Sequence, residues 1–484
     1  MNRFRRLLCL FFAVIMLFGA SPAAAIEIPE PTLSPHASPY DKEHPENLEA
    51  DQLYAASAIL IEASTGKVIF EKNADQPMYP ASTTKILTGL LAIEAGNLDQ
   101  VLTASANAIT FYEDDVTTID LREGEQMTMI DLLYGTLMES GNDAANVIAE
   151  HLGGGSIGAF VQQMNEAAAS YGCTNTHFTN PHGLHDDMHF TTARDMATIT
   201  RMAMQNETFR TIVSATSYKT SRTNIMRPRT FNTTAQVMVP STSESNNKYY
   251  YPDAIGVKTG TTTMAGYCFV GAAERDGITL ISVLFFTGKR ARWADTIKLM
   301  DYGFAEYTCV TPIELYNMNP ITVETSNYSL DDHAMGKLGL TCVPAEIGKD
   351  AKIVASREEV ELMAGNLRDT VLITYTRDFV APIEAGEVMG TMTYFTPDGE
   401  AVEYNLLAAR TVPRRENAPK TLEEIVAETE ADPNPFPPLT VETAMYFLWP
   451  LLVLWLIIHV LRKLLKRRRV HNARVPKPKS RYLK

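Results

Sequence analysis

A serine and a lysine stand three residues apart at the predicted start of a helix. The stretch S-T-T-K at residues 82–85 opens an apolar run typical of a helix over residues 83–95. At this spacing the two side chains share one helical face, about one turn apart. A serine hydroxyl becomes nucleophilic when a base takes its proton, and burial or nearby cations can turn a lysine into that base. The pattern predicts acyl transfer through Ser82, with Lys85 as the base and free helix N–H groups beside a developing oxyanion.

Two further motifs supply groups that such a reaction needs. S-G-N at residues 140–142 lies in a breaker cluster between predicted helices over residues 127–138 and 144–152. Ser140 can relay a proton from Lys85 to the leaving group, and Asn142 can hold Lys85 or a substrate amide.

The third motif, K-T-G, occupies residues 258–260 on a predicted strand. The Lys258 charge can lower the pKa of Lys85 or meet a substrate carboxylate, with Thr259 beside it. Gly260 allows a substrate chain to approach the strand closely, and Thr261 offers a second N–H to the oxyanion. Alone, these motifs are typical of a capped helix, a turn and a strand end. Their order and context favour the catalytic interpretation, and they resemble the S-x-x-K, S-D-N and K-T-G pattern of β-lactamases and penicillin-binding proteins, with S-G-N in the place of S-D-N.

The elements around the motifs predict an α+β fold. Residues 56–61 and 67–71 form a hairpin signal around S-T-G, and helices are expected over residues 157–171 and 192–204. Strands follow over residues 254–258, 267–273 and 278–286, and then a helix over residues 293–307. The order indicates a helical insert beside a mostly antiparallel sheet, in a catalytic domain spanning residues 53–309.

The rest of the chain has a different sequence pattern. Residues 26–52 are predicted to be an extended lead-in, residues 310–412 a small β-rich domain of short alternating runs, and residues 413–439 an acidic, Pro-rich linker. Cys173, Cys268, Cys309 and Cys342 have no metal-type spacing, and both disulfides and buried thiols remain open.

Both ends predict a membrane protein whose catalytic domain is exported. Residues 1–25 combine arginines, an apolar run and A-A-A, as a secretory signal peptide does. Residues 440–461 are apolar all round, and the basic stretch 462–484 follows, which indicates a single transmembrane helix with a cytoplasmic tail. The chain carries 57 acidic and 43 basic residues, a net charge of −14, and its basic ends leave the body more acidic still. Nucleic acid is therefore not expected as a partner.

With the motifs N-P-H-G-L at residues 180–184, F-T-T-A-R-D-M-A at 190–197 and G-V-K-T-G-T-T at 256–262, the chain resembles the low-molecular-mass penicillin-binding proteins. More narrowly, residues 50–410 resemble the serine D-alanyl-D-alanine carboxypeptidases of peptidase family S11. The resemblance implies a penicillin-binding-protein/β-lactamase-like transpeptidase fold, with an antiparallel sheet and a helical lobe, followed by a small β-rich domain.

The resemblance also implies a mechanism that needs no cofactor or metal. Ser82 is the acyl-enzyme nucleophile, Lys85 the base, Ser140 and Asn142 the second element, and Lys258 the substrate anchor. The implied reaction removes the terminal D-Ala from peptidoglycan stem pentapeptides, and β-lactams acylate the same serine. Family members often use an arginine ahead of K-T-G to bind the substrate carboxylate, and both Arg227 and Arg229 lie upstream of it here. Many members also end in an amphipathic helix, whereas this chain predicts a true span.

Three alternatives remain open at this stage. A class A-like β-lactamase shares the acylation machinery but needs an extra carboxylate, and the helical middle lacks a clear E-x-x-x-N motif. A catalytically inactive penicillin-binding wall protein is disfavoured because all three motifs are intact. His182, His185 and His189 form an H-x2-H-x3-H pattern that could ligate zinc.

Overall fold

A computed structural model describes most of the chain between its two ends. It covers residues 37–112, 116–242, 246–396 and 399–416, a few positions near 422–427, and residues 441–472. The predicted signal peptide, residues 26–36 of the lead-in and most of the predicted linker lie outside the described residues. The described part of the lead-in contains two short 3-10 helices, Pro45–Asn47 and Ala50–Gln52.

The catalytic part of the chain alternates strands and helices. Its strands are β1 Ser57–Glu62, β2 Val68–Lys72, β3 Val101–Thr103, β4 Gln126–Thr128, β5 Ser217–Lys219, β6 Thr230–Asn232, β7 Ala254–Thr262, β8 Gly266–Arg275 and β9 Ile278–Thr287. Its helices are α1 Lys85–Glu94, α2 Ala106–Ile109, α3 Met129–Leu137, α4 Asn142–Leu152, α5 Ile157–Ser170, α6 Ala193–Met204, α7 Glu207–Ser214 and α8 Ala291–Glu306.

A five-stranded antiparallel sheet in the order β2-β1-β9-β8-β7 organises this part. The predicted hairpin is present as β1 and β2, and the dipeptide Asp276-Gly277 joins β8 to β9. Since β7 stands at the end of the order, its outer edge has no neighbouring strand in the sheet. The strand that carries K-T-G therefore presents backbone N–H and C=O groups that another extended chain can pair with.

Alternate residues of β1 supply two separate hydrophobic cores. Ile59 and Ile61 belong to a core built with the helices of the lobe. Leu60 points to the opposite face, where it joins Trp293 and Leu299 of α8 in a second core. The sheet is therefore covered on both faces, which explains why all six residues of β1 are buried. The predicted α+β class, with an antiparallel sheet beside a helical lobe, is confirmed.

The β-rich prediction for residues 310–412 is correct in kind and incomplete in detail. One sheet has the order β11-β12-β16-β15-β14, and β10 pairs with β13. These strands are β10 Tyr307–Val310, β11 Thr322–Glu324, β12 Lys337–Pro344, β13 Ile353–Ser356, β14 Val371–Tyr375, β15 Val388–Phe395 and β16 Ala401–Ala408. Three helices also occur, α9 Pro312–Met318, α10 Arg357–Gly365 and α11 Leu367–Thr370.

The sequence contained a signal for two of these helices. Thr311 with Glu314 and Ser356 with Glu359 form capping boxes at the starts of α9 and α10. The short runs expected from the sequence do not include strand β12, which buries Leu338, Leu340 and Cys342 on one face.

The described chain divides into two compact units. The larger contains the residues up to Val323 with Gly339–Asp378 and Gly386–Ala409, and the smaller contains Glu324–Leu338, Phe379–Ala385 and the chain from Arg410. The predicted boundaries at residues 309 and 412 stay predictions.

The last helix, α12 Val441–Asn472, begins at the start of the predicted span and continues into the basic tail. Within it, Leu448–Leu465 is long and apolar enough to cross a membrane, and none of that stretch is buried in the protein. A helix with this composition and no protein cover suits a lipid environment.

Candidate active site

Ser82 lies in a tight turn at the entrance to α1. The chain forms a 3-10 helix over Ala81–Thr84 and continues as α1 from Lys85. The predicted helix start is present, with a first turn that is tighter than an α-helix. Ala81 has φ +49°, a left-handed conformation that is strained for a residue with a side chain. The nucleophile candidate therefore follows directly after a strained residue.

The side chain of Lys85 is completely buried, and its Nζ contacts three oxygen atoms of the described residues. Its Nζ lies 3.0 Å from Ser82 Oγ, 2.5 Å from Asn142 Oδ1 and 2.6 Å from the His182 carbonyl oxygen. The amide and carbonyl oxygens can only accept hydrogen bonds. A neutral amine gives its two N–H bonds to these oxygens, and its lone pair is then left facing the Ser82 hydroxyl.

The electrostatic environment favours that neutral form. Burial lowers the pKa of Lys85 well below the ordinary lysine value, and the positive charge of Lys258 lowers it further. Buried Asp143 acts weakly in the opposite direction. Geometry and charge thus agree that Lys85 is suited to accept a proton from Ser82.

The S-G-N motif forms the turn into α4. Ser140 is nearly buried and has φ +65°, and Asn142 is the first residue of α4. The Asp143 carboxylate accepts hydrogen bonds from the N–H groups of Ile119 and Leu121, which holds the neighbouring loop against the helix start. The structure brings Asn142 onto Lys85, whereas the Ser140 hydroxyl is not among the three groups described around Nζ.

Strand β7 approaches the Ser82 turn through Gly260. A Cβ atom on Gly260 would lie 2.9 Å from the Pro80 carbonyl oxygen and 3.2 Å from the Ser82 nitrogen. Only a glycine permits this distance, because backbone atoms cannot move aside as a side chain can. Since side chains alternate along a strand, Lys258 faces the same side as Gly260, toward the nucleophile.

The threonines of the motif face the other way. Thr259 Oγ1 lies 2.8 Å from Thr234 Oγ1, and Thr261 is exposed on the edge strand. The edge position of Thr261 keeps its backbone near the open side of the sheet.

Lys258 is almost completely buried and is paired with no carboxylate among the described residues. Burial, together with the positive charge of Arg292, lowers its pKa to about 7. The Arg292 guanidinium lies over the rings of Trp293 and Tyr267, and its Nε is buried with no hydrogen-bond partner in the described part of the chain. The charges of Lys258 and Arg292 thus interact, and neither cation is paired with a carboxylate among the described residues, which suits an anionic ligand.

Sequence reasoning missed three contributors to the site. The His182 carbonyl oxygen is a backbone atom, so no residue type reveals it. Thr234 lies in an irregular polar stretch that gave no signal. Arg292 follows the strand β9 in a basic G-K-R-A-R run, and its position between a core strand and a helix was the available clue.

The upstream arginines do not converge on the site. Arg229 donates bidentate hydrogen bonds of 2.8 and 2.9 Å to the fully buried Glu125 carboxylate, and a third to the Asp120 carbonyl. Arg227 is exposed. Arg229 is therefore committed to an internal ion pair and is not available to a substrate carboxylate.

The three histidines of the H-x2-H-x3-H pattern have separate roles. Thr179 N–H and Thr84 Oγ1 occupy the two ring nitrogens of His189, and Leu184 N–H donates to Nδ1 of His182. Nε2 of His185 lies 3.4 Å from the Asp187 carboxylate. The residues that the structure describes contain no group of three or more histidine, cysteine, aspartate and glutamate side chains placed to hold a metal ion. Cys173, Cys268, Cys309 and Cys342 are free thiols.

Comparison with known proteins finds similarity to one enzyme family. Residues 44–287 match the family model described as D-alanyl-D-alanine carboxypeptidase. The chain is 30% identical over 361 residues to D-alanyl-D-alanine carboxypeptidase DacF of Bacillus subtilis, covering 74% of this chain and 85% of that protein. It is 36% identical over 254 residues to a D-alanyl-D-alanine carboxypeptidase of Streptomyces sp. K15, covering 50% of this chain and 84% of that one. The crystal structure of the Streptomyces K15 DD-transpeptidase superposes with a TM-score of 0.48 at 33% identity, covering 52% of this chain and 98% of that one.

We expect Arg229 to matter for stability and not for substrate binding. Arg229→Gln leaves the buried Glu125 carboxylate without its cation, so the free energy of unfolding should fall by about 3 kcal/mol. The control Arg194→Gln breaks an exposed ion pair with Asp75 and should cost less than about 1 kcal/mol. Urea unfolding measures both losses. If Arg229→Gln instead raised KM for a peptide substrate with unchanged stability, Arg229 would be a substrate anchor.

Proposed function

Because the chain belongs to the D-alanyl-D-alanine carboxypeptidase family, we propose that Ser82 is its acyl-enzyme nucleophile and Lys85 its general base. The protein is a serine-type D-alanyl-D-alanine carboxypeptidase, a hydrolase of cell-wall synthesis. The observation that carries the residue assignment is the contact set of Lys85. Its Nζ is buried between two acceptor oxygens and the Ser82 hydroxyl, which leaves its lone pair directed at the nucleophile.

Acylation begins when Ser82 Oγ attacks the carbonyl carbon of the penultimate D-Ala of the stem pentapeptide. The hydroxyl proton passes to Lys85 Nζ as the Oγ–C bond forms. The carbonyl oxygen becomes an oxyanion, which we assign to the backbone N–H groups of Ser82 and Thr261. Collapse of this intermediate breaks the peptide bond, and the proton reaches the leaving amine of D-Ala from Lys85 through the Ser140 hydroxyl. Free D-Ala departs and an ester on Ser82 remains.

The substrate is held along the free edge of β7. An extended peptide beside this edge forms main-chain hydrogen bonds as an added strand, and Gly260 lets the strand lie close to the Ser82 turn. The terminal carboxylate of the substrate meets the Lys258 ammonium, with Thr259 beside it. Arg292 adds a second positive charge, and its Nε has no hydrogen-bond partner among the described residues. The two cations thus explain how the site selects a peptide with a free C-terminus.

Deacylation uses the same base on a different nucleophile. Lys85 takes a proton from a water molecule, the hydroxide attacks the ester, and Ser82 leaves with the proton restored. β-Lactams present a carbonyl and a carboxylate in a similar arrangement, and they acylate Ser82 by the same route. A fast β-lactamase needs an additional carboxylate to activate water. The buried Asp143 carboxylate, whose charge acts on Lys85, already accepts backbone hydrogen bonds from Ile119, Leu121 and Ala144.

Replacement of Ser82 tests the assignment directly. Ser82→Ala should reduce D-Ala release from a diacylated Lys-D-Ala-D-Ala tripeptide by at least about 10³-fold, because the nucleophile is absent. The control Ser170→Ala, at the exposed end of α5, should behave as wild type. A labelled penicillin should form a long-lived adduct with the wild type and none with Ser82→Ala. Rapid penicillin turnover would favour the β-lactamase, and labelling without D-Ala release would favour the inactive wall protein.

The pH dependence of kcat/KM should have two limbs. Lys258 must carry a proton to bind the carboxylate, so kcat/KM should fall as pH rises through about 7, the pKa of Lys258. Lys85 must be neutral, so kcat/KM should also fall at low pH, below the lowered pKa of Lys85. Each limb should approach a tenfold change per pH unit.

Two variants assign the alkaline limb. Lys258→Arg keeps its charge at every pH tested, so the limb near pH 7 should vanish. Arg292→Gln removes a neighbouring positive charge and should move the limb to higher pH, because the Lys258 ammonium is then less destabilised. An unchanged limb in both variants would show that another group titrates there.

We place the catalytic domain on the extracytoplasmic side of the membrane, anchored by α12. The apolar stretch Leu448–Leu465 and the basic residues around it support this orientation. Expression of the chain ending at residue 439 should move the protein from the membrane pellet to the soluble exported fraction, whereas removal of residues 473–484 alone should leave it in the membrane. Protease added to cells with intact inner membranes should digest the catalytic domain. Its protection would reverse the topology.

A further inference from the structure

The turn that carries Ser82 is held from behind by a neighbouring loop. Ala81 has φ +49° and is almost completely buried, so other contacts must compensate for a conformation that costs on the order of 1–3 kcal/mol. A Cβ atom on Gly183 would lie only 1.9 Å from the Ala81 carbonyl oxygen. The backbone of the loop over residues 179–190 therefore lies directly against the peptide group that precedes Ser82.

A chain of hydrogen bonds runs from this loop to the same carbonyl. The Thr179 N–H donates to Nδ1 of His189 at 3.0 Å, and Nε2 of His189 lies 2.8 Å from Thr84 Oγ1. The Thr84 hydroxyl donates to the Ala81 carbonyl oxygen at 2.9 Å. Both side chains are buried, Thr84 completely and His189 with 2% of its surface exposed.

Each member of the chain has one possible role. A backbone N–H can only donate, so Nδ1 of His189 carries no proton and Nε2 carries the single ring proton. Thr84 then accepts from Nε2, and its own proton is directed to the Ala81 carbonyl oxygen. Burial lowers the pKa of His189 to about 3, so the ring stays neutral and the directions of the hydrogen bonds stay fixed.

The carbonyl at the end of this chain belongs to the same rigid unit as the Ser82 N–H. The peptide group between Ala81 and Ser82 is planar, and in a trans peptide its C=O and N–H point in opposite directions. A hydrogen bond that draws the Ala81 carbonyl toward the interior therefore turns the Ser82 N–H toward the active site. That N–H is the oxyanion donor assigned above.

We propose that His189, acting through Thr84, is a positioning residue that orients the Ala81–Ser82 peptide and so aims the Ser82 N–H at the oxyanion. The proposal rests on the assignment of Ser82 as nucleophile. The loop that carries His189 also supplies the His182 carbonyl to Lys85, so one loop sets both the base and the oxyanion donor.

Paired variants of both residues test the chain of hydrogen bonds. Thr84→Val removes the hydroxyl at nearly constant volume, and Thr84→Ser keeps it. His189→Leu removes both ring nitrogens, and His189→Gln retains an N–H donor that can reach Thr84. Thr200→Val is the matched control, because Thr200 is an equally buried threonine whose hydroxyl bonds only to its own helix α6, at the Met196 carbonyl.

The readout is the acylation rate constant for each active site, measured with a labelled penicillin, together with kcat and KM for D-Ala release. Thr84→Val and His189→Leu should acylate about 10- to 100-fold more slowly and lower kcat with little change in KM, because an oxyanion donor acts in the transition state. Thr84→Ser and His189→Gln should recover most of that rate. Thr200→Val should match the wild type.

Three outcomes would overturn the proposal. A reduced number of labelled sites, each acylated at the wild-type rate, would show that the chain serves folding alone. A slow Thr84→Val beside a normal His189→Leu would remove His189 from the chain. If His189→Gln acylated as slowly as His189→Leu, an N–H donor to Thr84 would not be what the acylation rate depends on. Failure of the proposed function is distinguishable, since Ser82→Ala would then still release D-Ala.

Discussion

The contact between a completely buried lysine and a serine hydroxyl is the constraint on which the site depends. An ammonium removed from water is costly, and none of the described carboxylates is hydrogen-bonded to Lys85 to offset that cost. Loss of the proton is the cheaper solution, and the two acceptor oxygens beside Nζ accommodate the N–H bonds that remain. The chemistry at Ser82 follows because a neutral amine in this position has its lone pair directed at the hydroxyl. The local fold excludes water from that amine.

Three elements of different kinds meet at this point, and each contributes what its geometry allows. The 3-10 turn places Ser82 just before the start of α1. The turn into α4 brings Asn142 into contact with Lys85. The edge strand β7 approaches closely enough for Lys258 to act on Lys85 through its charge. Gly260 makes that approach possible, because a side chain there would collide with the Pro80 carbonyl oxygen. A single added methyl group would therefore separate the substrate edge from the nucleophile.

Residue types and spacing predicted more of the candidate site residues than of the backbone and side-chain contacts that hold them in place. The sequence showed the three motifs, their order and their places at a helix start, a turn and a strand. This was possible because each motif contains a side chain with distinctive chemistry. The hairpin and the antiparallel strands followed from β-rich runs joined by turn signals such as S-T-G. The capping boxes at Thr311 and Ser356 were also legible, although the helices they start were not predicted. The His182 carbonyl could not be predicted, because backbone atoms are the same at every position. The pairing of Arg229 with Glu125 was also out of reach, because it joins residues about a hundred positions apart.

The two buried lysines, Lys85 and Lys258, have different proposed roles and are coupled through their charges. Both side chains are buried, and the positive charge of Lys258 disfavours a proton on Lys85. Burial is the largest influence on both: it lowers the pKa of Lys85 well below the ordinary lysine value and, together with the charge of Arg292, lowers the pKa of Lys258 to about 7. A substrate carboxylate beside Lys258 stabilises the ammonium there, and that ammonium in turn keeps Lys85 neutral. In the proposed mechanism, recognition of the free C-terminus and preparation of the base are thus linked, because the charge that meets the substrate carboxylate also favours the neutral form of Lys85.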